Sequence, residues 1–498
     1  MSGSEGVCEG SPRLKPINRR QLMLRPVDVE KLIEADHPAR AIWELVGRLD
    51  LQRYYEGIKV MEGEAGRSAT DPRLLISLWL YAYSRSVSSA REIERQCSYE
   101  PGCQWLTGLE VINHHTLSDF RVDHKEALDN LFTQVLGVLS AEGLVTLEQV
   151  MHDGTKVRAN AGADTFRRED RLRAHLEAAR QQIEAMGDPC SEEVSRRVAA
   201  ARQRALRERE QRLEAALVEL EAIREVKRDE EAKEQARAST SDPQARVMKQ
   251  PDGGWAPSYN VQVSTDATAG VIVGVGVTQA GSDSHELVPA VERVEDTLDQ
   301  RPKQMVVDGG FVNRENMVGL DDKDIELIGP VPEVRSSAGQ MERRGVDAQF
   351  YPEAFVYDEA TDTYSCPAGK TLEHRGKERR IGRTIHQYRA ARVDCQACRF
   401  KERCCPTAKV AGRMLTRLVE DAVVQEFVVR MQSEEAKAIY RRRGEVAEFS
   451  NLWIKSKLGL KQFRLRGLSK VGMEVRWASL TYNVQLWIRR RWRPQWAT

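Results

Sequence analysis

Two aspartates close apolar runs that are typical of β-strands. Asp153 ends the run LEQVMHD, and Asp308 ends KQMVVD and is followed by two glycines. Ligands of open α/β sheets gather at the carboxyl ends of strands. Two close carboxylates repel each other unless cations neutralise them, and hard oxygen ligands favour Mg²⁺ or Mn²⁺. The pair therefore indicates a divalent-metal site, although either aspartate alone fits a turn or helix-cap role better.

A third carboxylate comes from the segment RRRGEVAEFSNLWIKSKLG, which has the character of a helix. Glu448 and Lys455 are seven residues apart, about two helical turns, and so share a face. Glu445 lies three residues before Glu448 and reaches the same side. On its own, this spacing is also that of a Glu–Lys pair on a helix surface.

Five of the nine cysteines lie in the polar segment 331–415. Their spacing is that of a metal knuckle: SCPAGK contributes one cysteine, C-x-x-C two more, and a Cys-Cys pair follows. We expect a structural Zn²⁺ held by Cys366, Cys395, Cys398 and Cys404, with Cys405 spare. Such an ion would fold a segment that has little apolar content of its own. The alternative is a loop with free reduced thiols.

The elements that precede the first aspartate are predicted to be helical, from about Asp28 to Gly143. The run DPRLLISLWLYAYSRS begins with an Asp cap and a Pro at the first helical position. Short helices then open at Ser88-Ser89 and at His115-Thr116. Their spacing fits a helix-turn-helix-like DNA reader, and pattern alone favours a plain helical bundle used for dimerisation.

The segments around the two aspartates predict a mixed α/β order. The first strand candidate is 147–154, followed at 165–238 by a helical hairpin whose leucines recur at three-, four- and seven-residue steps. Strands are predicted at 258–265, 270–278, 301–310 and 325–330, with helices from Ser284 and near Asn313. Helices return at 433–458 and 471–491. The hairpin is a candidate subunit contact or, equally, a solvent-exposed spacer.

Composition bounds the class of protein. The chain has 498 residues, of which 41% are hydrophobic and 30% charged. No apolar run approaches the roughly 20 residues of a membrane helix, and no signal peptide is evident, so we expect a cytoplasmic protein without a membrane partner. The net charge is only +1, but from Ala436 onwards there are fifteen Lys/Arg and three Glu, with interleaved aromatics. This pattern suggests a nucleic-acid partner or, as an even alternative, a solvated helical tail.

Several motifs, in a fixed order, make the chain recognisable. They are HPARAIWELVGRLDL, GRSATDPRLLISLWLYAYSRSVSSAREIERQC, HTLSDFR, HDGTKVRANA, SDPQARVMK with SYNVQVSTD, VVDGGFVNREN, and AEFSNLWIKSKLGLKQFRLRGLSKV. From about residue 20 to 490 the chain resembles the DDE transposases of bacterial insertion sequences. The resemblance implies an α/β fold with an RNase H-like (retroviral-integrase-like) mixed sheet flanked by helices.

The resemblance implies that Asp153, Asp308 and Glu448 are catalytic metal ligands. Glu448 is preferred to Glu445 because of its distance from Lys455 and from the LGL…FRLRG run. The chain departs from the family pattern in two places. Phe311 stands where members usually have Tyr, and Phe449-Ser450-Asn451 replaces the usual Pro-Phe-Gly.

The implied activity is cleavage of transposon ends and their transfer to target DNA, with two Mg²⁺ ions about 3.5–4 Å apart and Mn²⁺ as a substitute. Arg443 and Lys455 would contact phosphates next to the cut, and Arg464 and Arg466 would add DNA affinity. The partners implied are double-stranded DNA and a second copy of the chain, a homodimer on DNA. Two alternatives stay open: an RNase H-like nuclease without strand transfer, and a captured transposase that only binds DNA.

The predicted organisation alternates core and inserted segments. It comprises an N-terminal helical DNA-binding domain (1–145), a core in two parts (146–164 and 241–330), a helical insertion (165–240), a Cys-rich insertion (331–415) and a C-terminal part with the catalytic Glu and basic helices (416–498).

Overall fold

The computed structural model describes residues 20, 22, 26–58, 68–185, 193–331, 338–380, 383–406, 412–419 and 422–496. It is a mixed α/β structure with a helical N-terminal region, a curled mixed sheet and a second, antiparallel sheet. The coarse fold class predicted from the sequence is therefore confirmed. The helices in these ranges include none that is long and apolar enough to cross a membrane. Gly187-Asp188-Pro189, which would break the helical pattern within the predicted hairpin 165–238, lies outside the described residues.

Among the described residues, seven α-helices precede the first strand, in the region that was predicted to be helical. They are α1 (Pro38–Val46), α2 (Gln52–Tyr55), α3 (Pro72–Ser84), α4 (Ala90–Gln96), α5 (Pro101–Thr107), α6 (His114–Asp123) and α7 (Lys125–Ala141). Asp71 caps α3 by accepting a hydrogen bond from Arg73 N at 2.8 Å, with Pro72 at the first helical position. Asn113 caps α6 in the same way, so this helix begins at His114, one residue before the predicted start.

Helix α3 is buried along almost its whole length, from Leu75 to Tyr83. Its Trp79 indole donates to Leu117 O at 3.1 Å, and the Arg121 guanidinium lies 4.7 Å above the same ring. The buried side chains of this region continue without a break into those of the main sheet. The helical region and the main sheet thus share one hydrophobic core, which fixes the helices relative to the strands.

The main sheet contains six strands, and β2 and β3 form a short separate pair. The strands of the main sheet are β1 (Gln149–Arg158), β4 (Arg246–Lys249), β5 (Trp255–Asp266), β6 (Ile272–Thr278), β7 (Gln304–Val306) and β8 (Glu326–Ile328). The separate pair is β2 (Phe166–Arg167) and β3 (Ala238–Ser239). The order in the main sheet is β4-β5-β1-β7-β8, and β6 also pairs with β5. β4, β6 and β1 run antiparallel to β5, whereas β7 and β8 run parallel to β1.

Between β2 and β3 the chain forms α8 (Glu169–Glu184), α9 (Glu193–Val226) and α10 (Glu230–Glu234). Helices α8 and α9 pack through a small core of their own that includes Leu172, Leu213 and Leu220. Arg180 of α8 also bonds Glu210 and Glu214 of α9 at 3.0 and 2.7 Å. The leucine periodicity read from the sequence therefore corresponds to a real helix–helix contact.

Segment 331–415 contains strands that the sequence analysis did not assign. A five-stranded antiparallel sheet has the order β13-β12-β11-β10-β9, with β9 (Val356–Asp358), β10 (Thr363–Ser365), β11 (Thr371–Arg380), β12 (Arg383–Ala390) and β13 (Met414–Val419). Short helices α13 (Ala338–Arg343), α14 (Arg392–Gln396) and α15 (Lys401–Cys404) flank it. The hydrophobic cluster of this sheet contains only five fully buried residues, which explains why its strands lack an apolar pattern.

Six further helices complete the main body: α11 (Leu287–Leu298), α12 (Arg314–Asp321), α16 (Ala422–Gln432), α17 (Glu434–Arg441), α18 (Phe449–Ser456) and α19 (Leu468–Trp487). The single helix predicted over 433–458 is in fact α17 and α18 joined by a π-helical turn over Gly444–Glu448. One more helix, α16, precedes them and was not predicted.

The C-terminal aromatics do not form the surface that the sequence suggested. Phe463, Trp477, Trp487 and Trp492 are buried in the hydrophobic core rather than interleaved with the exposed basic side chains. Helix α19 carries two of these residues and packs on α3, α7 and β6. The aromatic part of the nucleic-acid pattern is therefore wrong, because these rings stabilise the fold.

Asn483 is the polar link between α19 and the edge strand β6. Its side chain is buried, accepts from Ile272 N at 2.9 Å and donates to Ile272 O at 2.8 Å. Replacing it with Ala would leave two buried backbone groups unpaired. We expect Asn483→Ala to lower the free energy of unfolding by about 2–4 kcal/mol, measured by urea denaturation. Lys470→Ala, at an exposed position of the same helix, is the control, and an equal loss in the two variants would contradict this role.

Candidate functional site

Parallel pairing of β1 with β7 brings the two predicted aspartates side by side. Met151 is in register with Val306, so two residues further along each chain Asp153 lies beside Asp308. β1 continues to Arg158, whereas the chain leaves the sheet at Asp308 and turns through two glycines. The Asp308 carboxylate accepts from Gly310 N at 2.9 Å, which holds it at this edge.

Asp153 is the more enclosed of the two carboxylates, with only 19% of its side chain exposed. Asn451 Nδ2 of α18 donates to one of its oxygens at 3.0 Å, and Arg443 Nη1 lies 3.9 Å from the other. Burial raises the pKa of Asp153 to about 6, and Asp308 adds to the rise, while Arg443 and the Asn451 hydrogen bond oppose it. The fold therefore holds an acidic pair that a bound cation would stabilise.

Glu448 stands at the end of the π-helical turn, with 64% of its side chain exposed. Arg443 connects it to Asp153, because Arg443 Nη2 lies 3.4 Å from Glu448 Oε1 while Nη1 lies 3.9 Å from Asp153 Oδ1. A π turn adds one residue to a helical turn, and such turns are frequent at functional sites. The structure thus brings Asp153, Asp308 and Glu448 to one edge of the main sheet, and Glu445 is exposed beside them.

The four basic residues predicted to contact DNA are placed differently from one another. Arg443 lies among the carboxylates, as described above. Lys455 points inwards, donating to Lys156 O at 2.8 Å; burial lowers its pKa, and Asp153 opposes this shift. Arg464 and Arg466 are exposed in the loop before α19, where Arg466 Nε donates to Asn160 O at 3.1 Å.

Buried Glu474 of α19 holds this loop. Its carboxylate accepts from Arg464 N and Leu465 N, both at 3.0 Å. Sequence reasoning missed this residue because a lone Glu in a helix carries no visible signal.

The two departures from the family pattern are built into the site. Phe311 is buried, with its ring edge-on to His152 at 4.9 Å between centroids. Ser450 pairs with Thr265 of β5 at 3.0 Å, and the next residue, Asn451, bonds Asp153. Asn451 was also missed as a site residue, although its position three after Glu448 on a helix was a usable signal.

His152 lies next to Asp153 in the chain but on the opposite face of β1. Its imidazole is fully buried, with Nδ1 2.9 Å from Ser264 Oγ and Nε2 2.9 Å from Gln262 Oε1. Burial lowers the pKa of His152 to about 3. This histidine is therefore neutral in the folded protein at ordinary pH and braces the strand that carries Asp153.

This buried histidine predicts a loss of stability in mild acid. Below pH 6.5 the unfolded chain protonates His152 while the folded chain does not, so the free energy of unfolding falls as the pH drops from about 6.5 towards 3. Between pH 7.5 and 5.5 we expect the wild type to lose roughly 1.4 kcal/mol more than His152→Gln, measured by urea denaturation. The same loss in both proteins would contradict a neutral buried His152.

The five cysteines of the Cys-rich segment lie around one cavity beside β12 and β13. Two of the thiols accept backbone hydrogen bonds at 3.3 Å, Cys366 from Lys370 N and Cys395 from Arg413 N. The Cys404 and Cys405 sulfurs lie 3.9 Å apart. Within the described ranges no three of these sulfurs lie within 4.8 Å of one another, and none of the seven described cysteines forms a disulfide.

Two protein-family models match this chain. The transposase domain DUF772 matches residues 27–123, which contain α1 to α6, and the transposase DDE domain matches residues 365–487, from the cysteine segment through Glu448 to the end of α19. Asp153 and Asp308 lie between the two matched ranges. Neither the curated proteins nor the solved structures contain a significant match. The two matches together support an insertion-sequence transposase of the DDE class, and its DDE domain implies the use of divalent metal ions.

Proposed function

We propose that this transposase cuts the terminal inverted repeats of an insertion sequence and joins them to target DNA at a site formed by Asp153, Asp308 and Glu448. The observation that carries the proposal is their arrangement: two carboxylates on adjacent parallel strands, and a third linked to them by Arg443. Neither family match covers the aspartates, so this geometry is the main support for their role.

The main sheet is proposed to be an RNase H-like core. Three antiparallel strands, β6-β5-β1, are followed across the sheet by two strands parallel to β1, β7 and β8. This strand order, with the acidic pair on the two central strands, supports the assignment. On this view the α8–α9 hairpin and the second sheet are insertions into the core.

Carboxylate oxygens make the site suited to Mg²⁺, with Mn²⁺ as a substitute. Asp153 and Asp308 would each contribute oxygens, and the exposed Glu448 would complete the set. When bound, two such ions supply charge neutralisation at the scissile phosphate and activation of the attacking hydroxyl. The fit also rests on electrostatics, because burial and, to a smaller extent, Asp308 raise the pKa of Asp153, and Arg443 only partly offsets this rise.

The remaining chemistry asks the protein mainly to position groups and stabilise charge. Asn451 orients the Asp153 carboxylate through its 3.0 Å hydrogen bond. Arg443, whose Nη1 is buried without a hydrogen-bond partner among the described residues, is placed to contact a phosphate beside the carboxylates. Lys455 braces β1 from within, and Arg464 and Arg466 offer exposed charge to the DNA backbone.

DNA recognition is proposed to come from the helices before the sheet. The first turn of α6 exposes His115 and Thr116, which would read the inverted repeats, and the exposed C-terminal Lys and Arg side chains would add sequence-independent affinity. Coordinated cutting of two ends requires at least a homodimer on DNA. The α8–α9 hairpin is the candidate subunit contact, with a free spacer arm as the alternative.

Asp153→Asn is the test of the active site. Purified protein is incubated with labelled element-end DNA and supercoiled target, in Mg²⁺ and in EDTA. Loss of metal ligation costs several kcal/mol of transition-state stabilisation, so we expect cleavage and joining to fall roughly a thousandfold while end binding persists. Glu448→Gln should behave in the same way, and Glu445→Gln, its exposed neighbour, is the matched control.

The same assay separates the competing functions. Mg²⁺-dependent cleavage without joined product would favour an RNase H-like nuclease. Binding without cleavage in Mg²⁺ or Mn²⁺ would favour a captured DNA-binding protein, for which the altered segment Phe449-Ser450-Asn451 is the one supporting feature.

The cysteine cluster is proposed to hold a structural Zn²⁺ through Cys366, Cys395, Cys398 and Cys404. The apolar core of the second sheet is small, so a bound metal ion would add stability that the core does not supply. Backbone N–H groups that donate to the sulfurs of Cys366 and Cys395 favour the thiolate form, which is the form that binds Zn²⁺. We expect Cys395→Ser to lose one equivalent of zinc, measured by metal analysis of the purified protein, and Cys405→Ser to lose none. Less than half an equivalent of cysteine-dependent zinc in the wild type would refute the site.

A further inference from the structure

A second cluster of metal-ligating side chains lies in the second sheet, away from the cysteines. Among the described residues, Asp362, His374 and His386 are the one group of three His, Cys, Asp or Glu whose ligand atoms all lie within 4.8 Å of one another. Asp362 occupies the turn between β9 and β10, His374 lies on β11 and His386 on β12. We infer that these three residues bind a divalent transition-metal ion of the zinc type.

The spacing of the two imidazoles matches such an ion. His374 Nε2 and His386 Nδ1 are 3.1 Å apart. Two nitrogens bound to tetrahedral Zn²⁺ at 2.0–2.1 Å are separated by about 3.3 Å. For these two nitrogens, binding the ion requires a shift of only a few tenths of an ångström, and the Asp362 ligand oxygen lies within 4.8 Å of both ligand nitrogens.

A β-bulge in β11 sets how closely His374 approaches His386. The register of β11 against β12 shifts between His374 and Gly376, and Gly376 has a φ of 150°, a conformation that favours glycine. Bulges bend a strand and redirect its side chains, and they are common beside functional sites. Here the bulge lies between the positions opposite Tyr388 and Gln387, directly after His374, so it controls how His374 faces His386.

Hydrogen bonds orient the Asp362 carboxylate through one oxygen and leave the other oxygen directed at the proposed metal ion. Asp362 Oδ1 accepts from Tyr388 OH at 2.6 Å and from Tyr357 OH at 2.9 Å. Asp362 Oδ2 faces the imidazoles and lies 3.6 Å from His374 Nδ1. The hydroxyls of Tyr388 and Tyr357 therefore hold the Asp362 carboxylate in one orientation. Hydrogen bonds of this kind characteristically orient metal ligands.

The donor set selects the metal. Two neutral imidazoles and one carboxylate suit Zn²⁺, Co²⁺ or Ni²⁺, whereas Mg²⁺ prefers oxygen ligands alone. Arg417, paired with His386 across β12 and β13, places a positive charge nearby that repels either kind of ion equally, so the selection rests on the donor atoms. With 47% of the Asp362 side chain and 29% of the His374 side chain exposed, an ion can enter from solvent and keep a water ligand.

The proposed ion would tie the β9–β10 turn to the two longest strands of this sheet. Asp362 and Cys366 flank the three-residue strand β10, so this site and the cysteine site are roughly 13 Å apart along the chain. The two ions would hold opposite ends of a sheet whose apolar core is small. This role is independent of the chemistry proposed for the aspartates.

The first test uses the unaltered full-length protein. Diethylpyrocarbonate modification of histidines is followed by mass spectrometry after addition of Zn²⁺, of Mg²⁺ or of no metal. We expect Zn²⁺ to slow modification of His374 and His386 at least tenfold and Mg²⁺ to have no effect. His285, with 73% of its side chain exposed in another part of the chain, is the internal control. Equal modification rates with and without Zn²⁺ would overturn the proposal and leave a metal-free imidazole pair.

The second test separates this site from the cysteines. After Zn²⁺ loading and gel filtration, His374→Gln/His386→Gln should hold one equivalent fewer than the wild type, and His285→Gln should hold the same amount. Cysteine variants should lose zinc without losing the protection of His374. If the double variant fails to fold by circular dichroism, Asp362→Asn, which keeps an acceptor for both tyrosines, should weaken Zn²⁺ binding at least tenfold. Unchanged zinc content or affinity in a folded variant would overturn the proposal.

Discussion

The close approach of Asp153 and Asp308 is the constraint on which the rest of the candidate site depends. Parallel pairing of β1 and β7 places two carboxylates side by side, and partial burial makes their charges costly. Neighbouring groups partly offset this cost. Asn451 donates a hydrogen bond to Asp153, Arg443 lies between Asp153 and Glu448, and the backbone N–H of Gly310 donates to Asp308. Such a concentration of negative charge is poorly suited to a purely structural role and well suited to binding hard cations and the phosphates that accompany them.

Precise positioning of that edge requires a stiff support, and one continuous core provides it. Helix α19 packs on both the N-terminal helices and β6, and buried Asn483 pins it to the strand backbone. The fully buried Trp477 and Trp487 belong to the same helix. Behind β1, neutral His152 fills the opposite face with hydrogen bonds to β5. The second sheet has no comparable core, which is why metal ligation is the expected means of ordering it.

The sequence predicted the parts of the fold that follow an apolar period or a capping rule. Helix α3 begins at its predicted Asp cap and Pro. The strand that carries Asp153 begins within the predicted segment 147–154 but continues to Arg158, and β7, which ends two residues before Asp308, lies within the predicted segment 301–310. The second sheet was missed because polar and charged residues predominate along β11 and β12, so the two strands show no apolar alternation and are recognised only by their pairing. The π turn before Glu448 and the inward orientation of Lys455 were also missed. Both depend on packing against β1, which seven-residue spacing along an ideal helix does not reveal.

Iron-directed cleavage of the polypeptide tests the central claim most directly. Zn²⁺ is first added to fill the cysteine site and the site formed by Asp362, His374 and His386. Fe²⁺ then replaces Mg²⁺ in the DNA-bound protein, and ascorbate with peroxide generates radicals that cut the polypeptide backbone beside the bound iron. We predict three clusters of cuts, near residues 153, 308 and 448, all suppressed by excess Mg²⁺ and lost in Asp153→Asn. Cuts near only one of these positions, or cuts that persist in excess Mg²⁺, would contradict a shared metal site at this sheet edge.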